Sequence, residues 1–387
     1  MRLKLRKIKL MLFAVAIVLV LPSCGKSDSN RMAHVEKQAV EVAATEAEEL
    51  VETVESTEDI TENETEILET TTTEIEDTEP VRFLFAGDIC LEEDGFVLDY
   101  FDEVGGDLTR CVSPYLLERM AMADIFMMNH EYAISSRGSR LDKYYTFRAD
   151  PSRISILKQM SVDLVSLANN HVYDYGYDAF ADTLNLLDEN GIRHVGAGMN
   201  ASSAEKVEYF DIRGIRIGVV SASRAEKYVI TPQATDSQPG VFWMYDDTRL
   251  IEVVSEAASQ CDFLIAYLHW GTEDSKYYED YQHDIAQKLV DSGVDAIIGG
   301  HPHIVQGMEY VGDVPVFYSL GDFWFNGADK YSMMVQLSIY KNGTSEVEII
   351  PCRQQNYTIT YMKDEEEQEE FFDYMRELSP NVIFYNN

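Results

Sequence analysis

The chain has 387 residues, enough for one large domain or two ordinary ones, and its 68 acidic against 31 basic side chains give a formal net charge of −37. That balance excludes nucleic acid as a partner, because binding a polyphosphate needs a basic footprint. It also requires that an anionic substrate be held by a local positive centre, against the field of the whole molecule.

Residues 1–24 stand apart from any globular core. "MRLKLRKIK" is basic, "LMLFAVAIVLVL" is apolar but short for a permanent span, and "LPSC" follows. This ending resembles the lipobox of bacterial lipoproteins, with Pro22 where Ala, Ser or Thr is commoner. The resemblance implies cleavage before Cys24, lipidation of its sulfur, and a protein lipid-anchored on the extracellular face of the bacterial membrane. An uncleaved signal anchor is the alternative and leads to the same side. Residues 25–80 read as an acidic, disordered linker. From Glu36 to Pro80 there are 17 acidic residues against Lys37 alone, a self-repelling composition with too little apolar surface to order.

From Val81 the chain alternates strands and helices. "VRFLFAGDI" (81–89) predicts a strand, "SPYLLERMAMAD" (113–124) a helix with a Ser-Pro start, and "IFMMNHEYA" (125–133) a strand. A helix opened by Asp150 and Pro151 follows. "DLVSLANNH" (163–171) predicts the next strand, and "YDAFADTLNLLDENG" (177–191) a helix closed by glycine. "FDIRGIRIGVVSAS" (210–223) reads as two strands about an Arg-Gly turn. Helices over 247–260 and 281–293 then alternate with strands over 262–271, 294–303 and 314–326. Residues 331–387 read as polar-alternating strands and an acidic helix flanking the 81–330 domain. Such repeated units predict an α/β fold. Cys90, Cys111, Cys261 and Cys352 show no CxxC spacing. Cys261 and Cys352 read as small buried residues; a Cys90–Cys111 bridge is left open.

The regularity that points to chemistry is where the polar residues fall. Asp88, Glu131, Asn170-His171, His269 and His301/His303 all close apolar strands, on the rim where α/β folds bind ligands. In an extended chain His301 and His303, two apart, share a face and can address one point. Each residue alone has a plainer reading: Asp88 a loop cap, Asn169 and Asn170 a turn, His269 a hydrogen-bonded core histidine. Five strands ending in metal-competent side chains are hard to explain by packing. His130, on the opposite side from Glu131, and His194 and His283 read as structural; Glu273 and Asp274 divide between solvated charges and supporting partners.

In order, "FAGDI", "NHE", "SLANNHVYDYG", "LHWGTE", "GGHPHIVQGMEY" and "YSLGDF" resemble the bacterial capsule synthesis protein CapA family, associated with poly-γ-glutamate synthesis and export. The likeness covers about residues 81–327 and implies a calcineurin-like metallophosphatase fold, a four-layer α/β/β/α sandwich. It also implies metal ligands at Asp88, Glu131, Asn170, His269, His301 and His303, with His171 facing the substrate as acid or phosphate clamp. Mixed carboxylate, amide and imidazole donors suit one or two divalent ions such as Mn, Fe or Zn. Cys90 stands where such phosphoesterases have the histidine of Asp-x-His, Glu131 replaces a bridging aspartate, and Asp322 an asparagine. The implied partners are an anionic polymer or phosphoester substrate, the membrane through the lipid anchor, and capsule-synthase membrane subunits. A cell-surface metallophosphoesterase and a non-catalytic binding module are the competing functions.

Overall fold

The computed structural model describes residues 79–226, 230–327 and 329–385. Cys24 and nearly all of the acidic linker lie outside the described residues. Among the described residues no helix is long and apolar enough to cross a membrane.

Two mixed sheets dominate. In the first, the spatial order is Thr358–Tyr361, Ser345–Gln355, Lys330–Ile339, Val81–Ile89, Ile125–His130, Leu164–Ser166 and Arg193–Val195, with Asp322–Trp324 pairing the far end of Val81–Ile89. In the second it is Met308–Val311, Val314–Phe317, Ala296–Gly300, Phe263–Trp270, Ile215–Arg224 and Glu208–Ile212. The strands that carry the polar ends run parallel within each sheet, so their C-terminal ends share an edge. The segment after Lys330 adds antiparallel strands directly beside Val81–Ile89.

Apolar residues define the layers. Phe83, Phe85, Met127 and Leu164 of the first sheet meet Val219, Ile265, Tyr267, Ile298 and Phe317 of the second in one buried cluster. The other face of the first sheet packs on the helices Phe96–Glu103, Pro114–Met122 and Gly176–Glu189 through Phe101, Met120, Phe180 and Leu187. The outer face of the second packs on Thr248–Ala258 and Asp280–Asp291 through Leu250, Val254, Ile285 and Leu289. This is the four-layer α/β/β/α sandwich expected above. Burial near 25 cal/mol per Å² of apolar surface makes these three interfaces the main source of stability.

Three expectations need correction. The 294–303 strand stops at Gly300; His301 and His303 lie beyond it in a loop, both at positive φ (96° and 58°). Their common direction therefore comes from a loop held in the left-handed region, not from strand alternation. The 314–326 segment is not one strand: Val314–Phe317 belongs to the second sheet and Asp322–Trp324 to the first. Gly321, at φ 74°, makes the crossing, and its carbonyl accepts from Asp88 N at 3.1 Å. The strand expected over 163–171 is regular only at Leu164–Ser166. The four cysteines from Cys90 onward are free thiols, so Cys90 and Cys111 are not bridged.

Candidate metal centre

Register explains why the polar strand ends meet. Asp88 is paired with Asn129 on one side and Asp322 on the other, while His269 is paired with Gly300 in the second sheet. The backbone next to Asp88 must therefore be bare. A Cβ on Gly300 would lie 2.5 Å from Asp88 Oδ1, and His301 N instead donates to Asp88 Oδ2 at 2.9 Å. Glycine admits the carboxylate where any side chain would collide with it.

The six expected ligands come together. His269 Nε2 lies 2.9 Å from Asn170 Oδ1 and 3.5 Å from Glu131 Oε1. His303 Nδ1 is 3.8 Å from Asp88 Oδ2, and its Nε2 is 4.0 Å from Glu131 Oε1. The His269 and His301 ring centroids are 4.8 Å apart. Two groups of ligand atoms, Glu131–His269–His301 and Asp88–Glu131–His303, each gather within 4.8 Å and share Glu131. All are buried except His303, which is partly exposed.

The unsatisfied atoms fit a cation. Glu131 Oε1 and His301 Nδ1 are buried with no hydrogen-bond partner, a costly state unless something else fills their lone pairs. Burial and then the neighbouring Glu131 charge push Asp88 up to about 6, and burial pushes Glu131 up to about 7. Burial drives His269 down to about 3 and His301 well below its ordinary value. Burial pulls His303 down too, but the Asp322, Glu131 and Asp88 carboxylates outweigh it and lift the ring to about 10. Protons thus supply the positive charge that this cluster of acids demands.

Reading residue types alone passes over the groups that hold these ligands in place. Asn129 Nδ2 donates to Asp88 Oδ1 at 2.8 Å and Glu131 Oε2 at 3.1 Å, and lies 3.2 Å from His269 Nδ1. Asn169 forms the turn that aims Asn170 and His171, its Oδ1 accepting from His171 N at 3.0 Å and Val172 N at 2.9 Å. Asp322 Oδ1 lies 2.7 Å from His303 Nδ1. His171 Nδ1 lies 2.7 Å from Asp174 Oδ2, which also accepts from Phe147 N at 2.8 Å. A carboxylate accepts only, so the Nδ1 proton points at Asp174 and Nε2 is left for the site. Lys143 bridges Asp174 and Glu226, each at 2.8 Å. The only advance signal for Asp174 was its place three residues after His171, one turn on.

The remaining candidates fall outside the cluster. Cys90 is a buried thiol, pushed well above its ordinary value by burial, and joins none of the ligand groups. His130 is buried against Tyr132, ring centroids 3.8 Å apart. His194 faces Asp188 at 3.4 Å and His283 faces Glu309 at 2.6 Å.

Residues 82–327, which hold every member of this cluster, match the model of the bacterial capsule synthesis protein PGA_cap. The chain belongs to that family. It is 29% identical to the capsule biosynthesis protein CapA of Bacillus anthracis, over 71% of this chain and 68% of that one. It is 28% identical to the PGA biosynthesis protein CapA of Bacillus subtilis, over 69% and 70%. A phosphatase from Mycoplasma pneumoniae is similar in structure at TM-score 0.44 and 12% identity, over 77% of this chain and 99% of that one. A putative 5′-nucleotidase from Staphylococcus aureus is similar at 0.43 and 15%, over 76% and 57%. The architecture of this PGA_cap member rests on its own sheets and core, not on those two likenesses.

Proposed function

We propose that this PGA_cap family member acts in synthesis or export of a poly-γ-glutamate-type capsule polymer. It does so from the outer face of the membrane, tied there through Cys24, with a metal-dependent hydrolase-type site. The observation that carries the reading is the meeting of Asp88, Glu131, Asn170, His269, His301 and His303 at one buried cluster in a chain of this family. Asp88, Glu131 and His303 would hold one divalent ion, and Glu131, Asn170, His269 and His301 a second. Such an ion supplies a hydroxide near neutral pH and a positive charge for developing oxyanions. The chain's own part is orientation: Asn129 and Asp322 hold the carboxylates and His303, and Asp174 takes up His171 Nδ1, which would leave Nε2 for a substrate. His171 would then hold the proton for a leaving oxygen.

The cluster also offers the local positive centre that an acidic chain needs to hold a carboxylate polymer or a phosphoester. The test incubates the purified, metal-loaded domain with poly-γ-glutamate and separately with aryl phosphates. Polymer shortening or binding that is lost in Asp88→Asn supports the capsule reading. Phosphate release with no effect on the polymer would replace it with a cell-surface phosphoesterase. Metal uptake without turnover or binding of either would leave a non-catalytic module.

A further inference from the structure

We propose that Glu273, His301 and His303 form an outer, solvent-facing position for a divalent cation, through which the ion reaches the buried ligands. The inference rests on the metal reading of the inner cluster and extends it to the route of loading. One ligand atom from each of these three residues lies within 4.8 Å of the others. Glu273 is exposed, His303 partly exposed and His301 buried, so the three form a gradient from water inward. His301, the buried member of the three, carries a ring nitrogen, Nδ1, that is buried without a partner.

The loop that carries Glu273 is fixed on the histidine loop rather than merely near it. Asp274 N donates to Pro302 O at 2.9 Å, and Lys330 Nζ lies 3.5 Å from both Asp274 Oδ1 and Asp322 Oδ2. Gly271 N donates to Tyr281 Oη at 2.7 Å, and Thr272 Oγ1 to Glu279 Oε2 at 3.1 Å. Asp274, His301 and His303 all sit at positive φ, backbone that side chains other than glycine rarely adopt. Strain of this kind persists only where surrounding contacts enforce it, and it gathers at binding sites. The Glu273 charge is felt inside, where it pushes Glu131 upward as a minor cause behind burial.

Two imidazoles and a carboxylate make a borderline-hard donor set suited to Zn, Mn, Fe or Co, with positions left over for water. His301 and His303 also belong to the inner groups, so an ion moves inward by exchanging Glu273 for Glu131 while a histidine stays bound. No covalent or redox step is involved.

Cobalt(II) tests this, because its visible absorption reports ligand number in the full folded domain. Glu131→Gln should keep one cobalt equivalent at the outer position, and Glu131→Gln/Glu273→Gln should bind it about tenfold more weakly or worse. Glu273→Gln alone changes only an exposed side chain; it should reach the wild-type final spectrum but take up cobalt several times more slowly in stopped-flow mixing. If Glu131→Gln does not fold, that rate decides, and an unchanged rate overturns the outer position. A double variant that binds cobalt as Glu131→Gln does would also overturn it, leaving the inner cluster intact. Absence of cobalt binding by the wild-type domain would instead remove the inner reading, and this one with it.

Discussion

Asn129 donates to Asp88 across neighbouring strands, Nδ2 to Oδ1 at 2.8 Å, while the same amide lies 3.1 Å from Glu131 Oε2. One neutral side chain thus spaces the two buried carboxylates, and its own Oδ1 accepts from Asn169 Nδ2 at 3.0 Å. Removing it in Asn129→Ala leaves buried acceptors unpaired, at a cost of about 1–3 kcal/mol. Metal affinity should fall about 10–100-fold, as for other groups that orient ligands without binding the ion. Urea unfolding and manganese titration measure the two effects. Unchanged affinity would mean that Asn129 is only a packing residue.

Gly300 gives a second handle on Asp88. An added methyl would meet Oδ1 at 2.5 Å, inside any real contact distance, with a buried carboxylate as the obstacle. Gly300→Ala should therefore displace Asp88 and lose metal, with a packing cost of about 1–3 kcal/mol. Elemental analysis of the folded variant checks it, alongside His301→Ala, which should lose bound metal without unfolding. Wild-type metal content in Gly300→Ala would show that Asp88 is no ligand.

The site was more legible than the backbone that builds it. Residue type and position at strand ends were enough to nominate Asp88, Glu131, Asn170, His269, His301 and His303, because apolar runs announce strands and parallel strands share an edge. How His301 and His303 reach the cluster was not legible. That depends on a loop in which both residues sit at positive φ, a backbone region that nothing in their sequence announces. What Asn129 and Asp322 do was not legible for a related reason. Their roles come from sheet register with Asp88, and register joins segments about 40 and 230 residues apart, which no local pattern reports. The 314–326 segment failed as one strand because Gly321 reads as a simple interruption, whereas it carries the chain from one sheet to the other.

Membrane attachment makes a separate prediction. With a lipid on Cys24 the mature protein should partition with membranes, and Cys24→Ala should release it or stall its processing. Fractionation of cells expressing both forms reads this out. Normal processing and retention of Cys24→Ala would remove the lipoprotein reading, while leaving every statement about the folded domain untouched.

The pH dependence of metal binding follows from the direction of the shifts. Without metal, Asp88 rises to about 6, Glu131 to about 7 and His303 to about 10, so each holds a proton to higher pH than usual. An ion that takes these ligands must displace those protons, whereas His269 and His301, pushed down by burial, are already neutral and release none. At pH 6 binding should release about two protons, and at pH 8, with both carboxylates ionised, about one from His303. Affinity should therefore climb steeply from pH 5 to 7 and less steeply above. Titration calorimetry in buffers of different protonation enthalpy counts the protons directly. The decisive comparison is Asp322→Asn, which removes the first carboxylate holding the His303 proton and keeps the shape. It should lower the release at pH 8 and so flatten the climb in affinity between pH 6 and pH 8. A proton count at pH 8 that does not respond to Asp322 would place the proton elsewhere and take His303 out of the ligand set.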